Sequence, residues 1–428
     1  MQENLAANSS PLTPPRLVSR EAASVPSQSD VESAFAVNTK PIPVERISRS
    51  VLRKGVPLLD LSRQYATLRT EVLAAVEAVC DSQQYILGLA VTDFETRAAK
   101  FLGANFCIGC ASGTDAIFLA LAAAGIGPGD EVVTTPFSFF ATASSITRIG
   151  ARPVFADIDP NTFNLDPNSV QRLIEHRVRV KAILPVHLYG QCADMDALVN
   201  IAEQSGLVVV EDAAQAFGAT WRGRRAGTLG QLASFSFYPT KNLNAFGDAG
   251  AVTTNDEDLA ARVRLLRAHG SRQRYYHEEI GWNSRLDSVQ AAVLSVKLKY
   301  LEKWNRQRQQ HAETYAKLFR KAGLGHPDSP VRLPETDPNT SHIYHQYVIR
   351  AQRRDELRRF LTDREIGSEV FYPVPLHRQK AFDYLGYGEG SLPIAEAAAR
   401  EVLALPMFAE LRDDELRTVV DAIAEFYS

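Results

Sequence analysis

The chain has 428 residues, 47 of them Lys or Arg and 50 Asp or Glu, for a formal net charge of −3; 45% of it is hydrophobic and 23% charged. These proportions are those of globular proteins and exclude a collagen-like fibre, a chain disordered throughout and a membrane bundle. So even a charge balance supplies no global basic field for nucleic acid or anionic lipid, and neither is expected as a partner.

The length suggests two or three domains. No apolar run reaches the roughly 18 residues of a membrane span. The N-terminus MQENLAANSSP lacks a basic start followed by an apolar run, so no secretory signal is evident. Four cysteines fit a reducing compartment, and a cytoplasmic protein is expected. Cys107 and Cys110 form a C-x-x-C without a second such pair, so no zinc or other metal site is expected. They read as small buried residues ahead of a helix.

Residues 1–52 are rich in Ser and Pro with little apolar periodicity, and a mobile extension is expected there. Helical spacing begins at Leu68–Val79 and repeats at Phe94–Leu102. From there β-rich runs at Glu131–Thr135, Arg152–Ala156, Ala182–Val186, Leu207–Val210 and Ser234–Phe237 alternate with helical stretches at Ala116–Ala124, Ser169–His176 and Met195–Gln204. This pattern predicts an α/β fold, a mostly parallel sheet sandwiched by helices, in a large domain over 53–295. Ligands of such sheets bind beyond the carboxyl ends of the strands. A long helical stretch runs from about Leu286 into the 310s. Its Lys297, Lys299, Lys303, Arg306 and Arg308 read as a solvated face. A smaller α+β domain is expected over 296–428, with a strand at Tyr344–Arg350 and helices near Asp355–Leu361 and Asp414–Phe426.

Four local features bear on chemistry. Ser112-Gly113-Thr114 opens a helix, where backbone amides and hydroxyls suit a phosphate, though a plain N-cap has the same look. Phe137 to Phe140 place aromatic rings just after a strand, for packing or for stacking on a flat ligand. Asp212 closes a buried strand. Lys241 follows another directly, and a desolvated lysine has a lowered pKa and can form an imine. Together these are the parts that pyridoxal phosphate chemistry requires. A nicotinamide enzyme would instead want G-x-G-x-x-G after a strand, which is absent.

The stretches SGTDAIFLAL, HLYGQCADMDAL, VVVEDAAQAFGA, FSFYPTKNLNAFGDAGAV, WNSRLDSVQAAVL, VFYPVPLH and ALPMF resemble the DegT/StrS family of nucleotide-sugar aminotransferases, of the aspartate aminotransferase fold type (pyridoxal-phosphate fold type I). They span the chain from about Pro57 to its end. The resemblance implies pyridoxal 5'-phosphate as cofactor, passing through its pyridoxamine form during turnover. It implies Lys241 as the imine lysine and proton shuttle, and Asp212 as the carboxylate on the pyridine nitrogen. Gln215 would bond the phenolic oxygen, and Phe139 would stack on the ring. Gly113, Thr114 and Ser236 would contact the phosphate. Asn283 would reach it from a neighbouring subunit, implying a homodimer with shared sites. Tyr372 and His377 would approach the sugar, and Arg285 would orient that region. The implied reaction moves an amino group from an amino acid, by resemblance L-glutamate, to a nucleotide-linked keto-deoxyhexose. One family branch carries histidine in place of the lysine and dehydrates instead. Retention of Lys241 speaks against that rival, and retention of both Lys241 and Asp212 against a non-catalytic regulator. Gln215 in its EDAAQ setting leans toward 3-keto substrates. Two positions depart from the family pattern: Leu89 where proline is common after Ile-Leu-Gly, and Phe217 where histidine often follows Gln-Ala.

Overall fold

The computed structural model describes residues 55–428; the extension expected over 1–52 lies outside the described residues. Two helices, α1 (Leu61–Ser82) and α2 (Leu89–Leu102), precede the first strand, β1 (Phe106–Cys110). There follow α3 (Gly113–Ala123), β2 (Glu131–Thr134), α4 (Ala141–Arg148), β3 (Arg152–Phe155), α5 (Pro167–Ile174), β4 (Val180–Leu184), α6 (Met195–Ser205), β5 (Val208–Asp212), β6 (Leu232–Ser236) and β7 (Gly250–Thr254). The seven strands form one sheet in the order β1-β7-β6-β5-β4-β2-β3. Strands β3, β2, β4, β5 and β6 are parallel neighbours, and β7 runs antiparallel between β6 and β1. The protein is thus an α/β chain with a mostly parallel sheet flanked by helices.

Both sheet faces are buried, which is why its strands read as continuous apolar runs. Alternation along each strand decides the face. Val209, Ala233 and Ala251 pack into one hydrophobic cluster, while Val210, Leu232 and Val252 pack with Ala116 to Leu121 of α3 into another. The same alternation explains the C-x-x-C pair. Cys107 and Cys110 lie three apart on β1, so they face opposite sides of the sheet, buried and free.

Beyond the sheet come α7 (Glu257–Arg267), α8 (Ser288–Leu298) and α9 (Leu301–Lys321), then β8 (Tyr347–Ala351), α10 (Arg354–Asp363), α11 (Pro393–Glu401), β9 (Val402–Leu405) and α12 (Asp413–Tyr427). β8 and β9 pair antiparallel in a small three-stranded sheet, and their apolar residues share a cluster with α9 and α12. The long helix expected from Leu286 is two helices, broken at Lys299 and Tyr300. Two of its basic residues are not a solvated face. Lys297 is 2% exposed and Arg308 5%. Each continues an inward stripe, Lys297 four residues after Val293 and Arg308 seven after Leu301. Arg308 satisfies its guanidinium on the carbonyls of Tyr344, His345 and Met407. Among the described residues no helix is long and apolar enough to cross a membrane.

Candidate active site

The carboxyl ends of β1, β5 and β6 point to one edge of the sheet, because these three strands run parallel to one another. Period-two alternation sends Asp212 and Ser236 to the face that carries α3. The N-terminus of α3 therefore meets both strand ends. Ser112 caps it, its hydroxyl accepting from the amide of Asp115 at 3.1 Å. The next residue has to be glycine: a Cβ on Gly113 would stand 2.4 Å from that of Ser236. The result is a cradle of helix-start amides beside the Thr114 and Ser236 side chains, suited to a phosphate.

The cradle closes one part of a cavity of about 820 Å³. Gly113, Thr114, Phe139, Asp212, Gln215, Ser236, Lys241 and Tyr372 all line it. Eight of the residues expected at the site are thus brought together from five separated stretches of chain. Lys241 is the one lysine or arginine among the described residues that line it. Burial lowers its pKa to about 8, with the charge of Asp212 acting in the opposite sense. It sits in the turn after β6, its amide donating to the carbonyl of Tyr238.

Asp212 is 3% exposed. Its Oδ2 accepts from the Thr142 hydroxyl at 2.7 Å and its Oδ1 from the Ala214 amide at 3.2 Å. Burial pushes its pKa up; Thr142, Ala214 and the charge of Lys241 pull it back. Thr142 lies 2.9 Å from Ser138, so with its own hydrogen on Asp212 it accepts from Ser138. The preceding acid, Glu211, faces the other way. His187 and the amides of Gly227, Leu229 and Gly230 donate to it at 2.7–2.9 Å. Gln215 accepts from the Tyr189 amide at 2.7 Å and donates to the Tyr372 hydroxyl at 3.1 Å. Phe139, 58% exposed, stands free at the cavity wall with its ring centroid 6.4 Å from that of Tyr372.

Three expected residues lie outside this cavity. Asn283 is exposed and Arg285 half-buried, and neither lines the cavity. His377 lies apart from the residues that line the cavity. The chain after Pro375 turns into a short 3-10 helix that draws the ring inward to 1% exposure. There it bonds Glu396 at 3.1 Å among Phe155 and Tyr387. Thr142, Ser138 and His345 are site residues that sequence reasoning missed. The one available signal was Ser138 and Thr142 standing four apart just after a strand.

Such a cavity can take a flat aromatic ring against Phe139, its phosphate at α3, its carbonyl carbon at Lys241 and its nitrogen at Asp212. Those are the demands of pyridoxal 5'-phosphate, and the residues present fit it; the protein is a pyridoxal-phosphate-dependent enzyme of the aminotransferase fold. The chain belongs to the DegT/DnrJ/EryC1/StrS aminotransferase family, whose model matches residues 66–424. It is similar to a "pleiotropic regulatory protein" of Geobacillus stearothermophilus, 53% identical over 87% of this chain and 99% of that protein. It is 46% identical to dTDP-3-amino-3,4,6-trideoxy-alpha-D-glucose transaminase of Streptomyces venezuelae, over 87% of this chain and 96% of that one. The crystal structure of S. venezuelae DesV matches with a TM-score of 0.83 at 45% identity, covering 87% of this chain and 98% of that chain. NtdA of Bacillus subtilis, solved with bound pyridoxamine phosphate, matches with a TM-score of 0.79 at 30% identity, covering 88% and 86%.

Proposed function

We propose that the protein transfers an amino group from an amino acid, L-glutamate by family resemblance, to C3 of a nucleotide-linked keto-deoxyhexose. The observation that carries this reading is the meeting of Lys241 and Asp212 in one cavity under the N-terminus of α3. Pyridoxal phosphate, when bound, supplies a ring that withdraws electrons from the substrate carbon. The chain's own groups do the rest. Asp212, whose charge the donors Thr142 and Ala214 favour against burial, would face the ring nitrogen and hold a proton there. Gln215 would bond the phenolic oxygen, Gly113, Thr114 and Ser236 would hold the phosphate, and Phe139 would cover one ring face. Lys241, with basicity lowered to about 8, takes a proton from one carbon and returns it to another near neutral pH.

The choice of C3 rests on the names of relatives and on Gln215. The S. venezuelae transaminase is named for a 3-amino sugar, and a Pseudomonas aeruginosa aminotransferase, 41% identical, for a 3-oxo-glucuronate. A GDP-perosamine synthase is only 37% identical. The regulatory name of the Geobacillus protein does not favour a silent site here, because this chain keeps both Lys241 and Asp212.

Two neighbouring subunits are proposed to complete each site. The donor carboxylate, the cofactor phosphate and the nucleotide diphosphate are all anions, while one chain contributes a single lysine. Asn283 and Arg285, outside their own cavity, are proposed to serve the partner's cavity. Tyr372, bonded to Gln215, is proposed to face the sugar. The four free cysteines suit a cytoplasmic setting. The test is a panel of nucleotide 3-keto and 4-keto sugars with nitrogen-labelled glutamate, read by mass spectrometry. Label appearing only in 4-amino products would overturn the C3 assignment, and none in any product the whole reading.

A further inference from the structure

The carbonyl of Lys241 belongs to no strand or helix, and the donor it finds among the described residues is a side chain, Nδ2 of Asn244 at 2.9 Å. The same NH₂ group also faces Oε1 of Gln64, on the first turn of α1, at 3.4 Å. Oδ1 of Asn244 accepts from the ammonium of Lys297, on the last turn of α8. The sense of the amide is thus fixed from both ends, since a carbonyl can only accept and an ammonium can only donate. Gln64, Asn244 and Lys297 are all buried.

Lys297 is a costly residue at this place. Among the described residues its polar contacts are the Asn244 oxygen and the face of the Phe246 ring, and Glu410 acts on it through charge alone. Val293, Val296 and Leu298 beside it on α8 belong to the hydrophobic core. An apolar side chain of the same length would bury there at less cost. What a lysine supplies, and a hydroxyl or a second amide does not, is a group that donates and never accepts. It keeps the Asn244 amide from turning over. Turned over, that amide would set its oxygen against the Lys241 carbonyl, two acceptors with no hydrogen between them.

We propose that Lys297 and Asn244 are positioning residues for Lys241: the buried ammonium sets the sense of the Asn244 amide, whose NH₂ group grips the Lys241 carbonyl and keeps the turn after β6 in the shape that brings the lysine to the cavity. Asn242, the residue that follows Lys241, is anchored separately, its nitrogen donating to the Asn305 oxygen at 2.8 Å and to the carbonyl of Ile343 at 3.3 Å. The backbone is thereby held at the one residue whose amine must serve two carbons, where a displacement of about 1 Å can cost on the order of a hundredfold in rate. The inference rests on the role given to Lys241 above.

The test uses the full chain freed of cofactor and follows amide hydrogen exchange by peptide mass spectrometry. In wild type the amides of Lys241 and Ala245 are held by the carbonyls of Tyr238 and Phe237, each at 2.8 Å, and the peptide over 238–246 should exchange slowly. Lys297→Met keeps the length of the side chain and removes the donor. Exchange over 238–246 should quicken by at least about fivefold, while peptides of β5, α1 and α8 keep their wild-type rates. The double variant Lys297→Met, Asn244→Leu replaces the pair with apolar side chains and leaves neither partner unpaired. It should loosen the same peptide to the same degree, which guards against a single variant that fails to fold. With cofactor restored, Lys297→Met should lower kcat by about tenfold and leave KM for both substrates within about twofold. Unchanged exchange over 238–246 in the folded variants, or faster exchange spread equally over α1 and α8, would overturn the inference. The exchange measurement involves neither cofactor nor sugar, so its failure is distinct from failure of the proposed reaction.

Discussion

The hydroxyl of Thr142, on the first turn of α4, donates to Oδ2 of Asp212, at the end of β5, across 2.7 Å. An ionised carboxylate that is 3% exposed depends on such donors, because a buried charge without them is costly. Thr142→Val keeps the shape and removes the donor. It should lower kcat by about tenfold to a hundredfold, on the order of 1.5–3 kcal/mol for a hydrogen bond to a charged group. Thr142→Ser should retain most of the rate. Steady-state kinetics of the two variants check this, and a Val variant at wild-type rate would sever Thr142 from the mechanism.

Asp212→Asn should lower turnover at least roughly a hundredfold, about 3 kcal/mol of transition-state stabilisation. Lys241→Ala should abolish transfer altogether and lose the visible absorbance of the lysine–cofactor imine. Absorbance spectra alongside product analysis decide both cases.

Lys297 gives a prediction in pH. Its ammonium bonds the Asn244 side chain and lies 4.6 Å from the centroid of the Phe246 ring, and burial lowers its pKa to about 8. The unfolded chain keeps that lysine protonated up to its ordinary value of 10.5. Between those values the unfolded state binds more protons, so this residue's contribution to stability rises with pH. Urea midpoints of wild type and Lys297→Met should therefore diverge in favour of wild type from pH 8 to pH 10. A constant gap across that window would contradict the lowered value.

Shared sites predict complementation. Lys241→Ala and Arg285→Ala proteins, each impaired alone, should regain activity when mixed as unfolded chains and refolded together, since one cavity of each hybrid receives an intact lysine and an intact arginine. Sedimentation of the mixture should show dimers. Hybrids as inactive as the parents would place Arg285 outside the neighbouring cavity.

His377→Ala should lower the melting temperature while leaving KM for the sugar within about twofold, because its ring is packed against Glu396 away from the cavity. A large rise in KM without loss of stability would return His377 to the substrate.

Much of this was legible in the residues. The five parallel strands stood out because strands covered on both faces are apolar throughout. β1 and β7 did not: Gly109 and the two cysteines dilute the first, and Gly250 opens the second right after a loop. That Lys241 and Asp212 share a cavity was legible because Asp212 ends a β-rich run and Lys241 sits in the turn after another, where parallel sheets bind ligands. Thr142 was not, since its hydroxyl matters only through a neighbour 70 positions away. Lys297 and Arg308 misled because charge was weighed above helical phase. The burial of His377 was not legible, because adjacency to Tyr372 in sequence says nothing about which way a 3-10 turn rotates a ring.

Glu211 gives β5 a key as well as a strut. Its two oxygens fit four fixed donors, so sliding the strand by one residue would empty that lock and swing the wrong acid into the cavity. Insertions or deletions within Val208–Asp212 should therefore be far less tolerated than substitutions there, and attempts to reshape the enzyme do better to cut and graft in the loops that follow the strands.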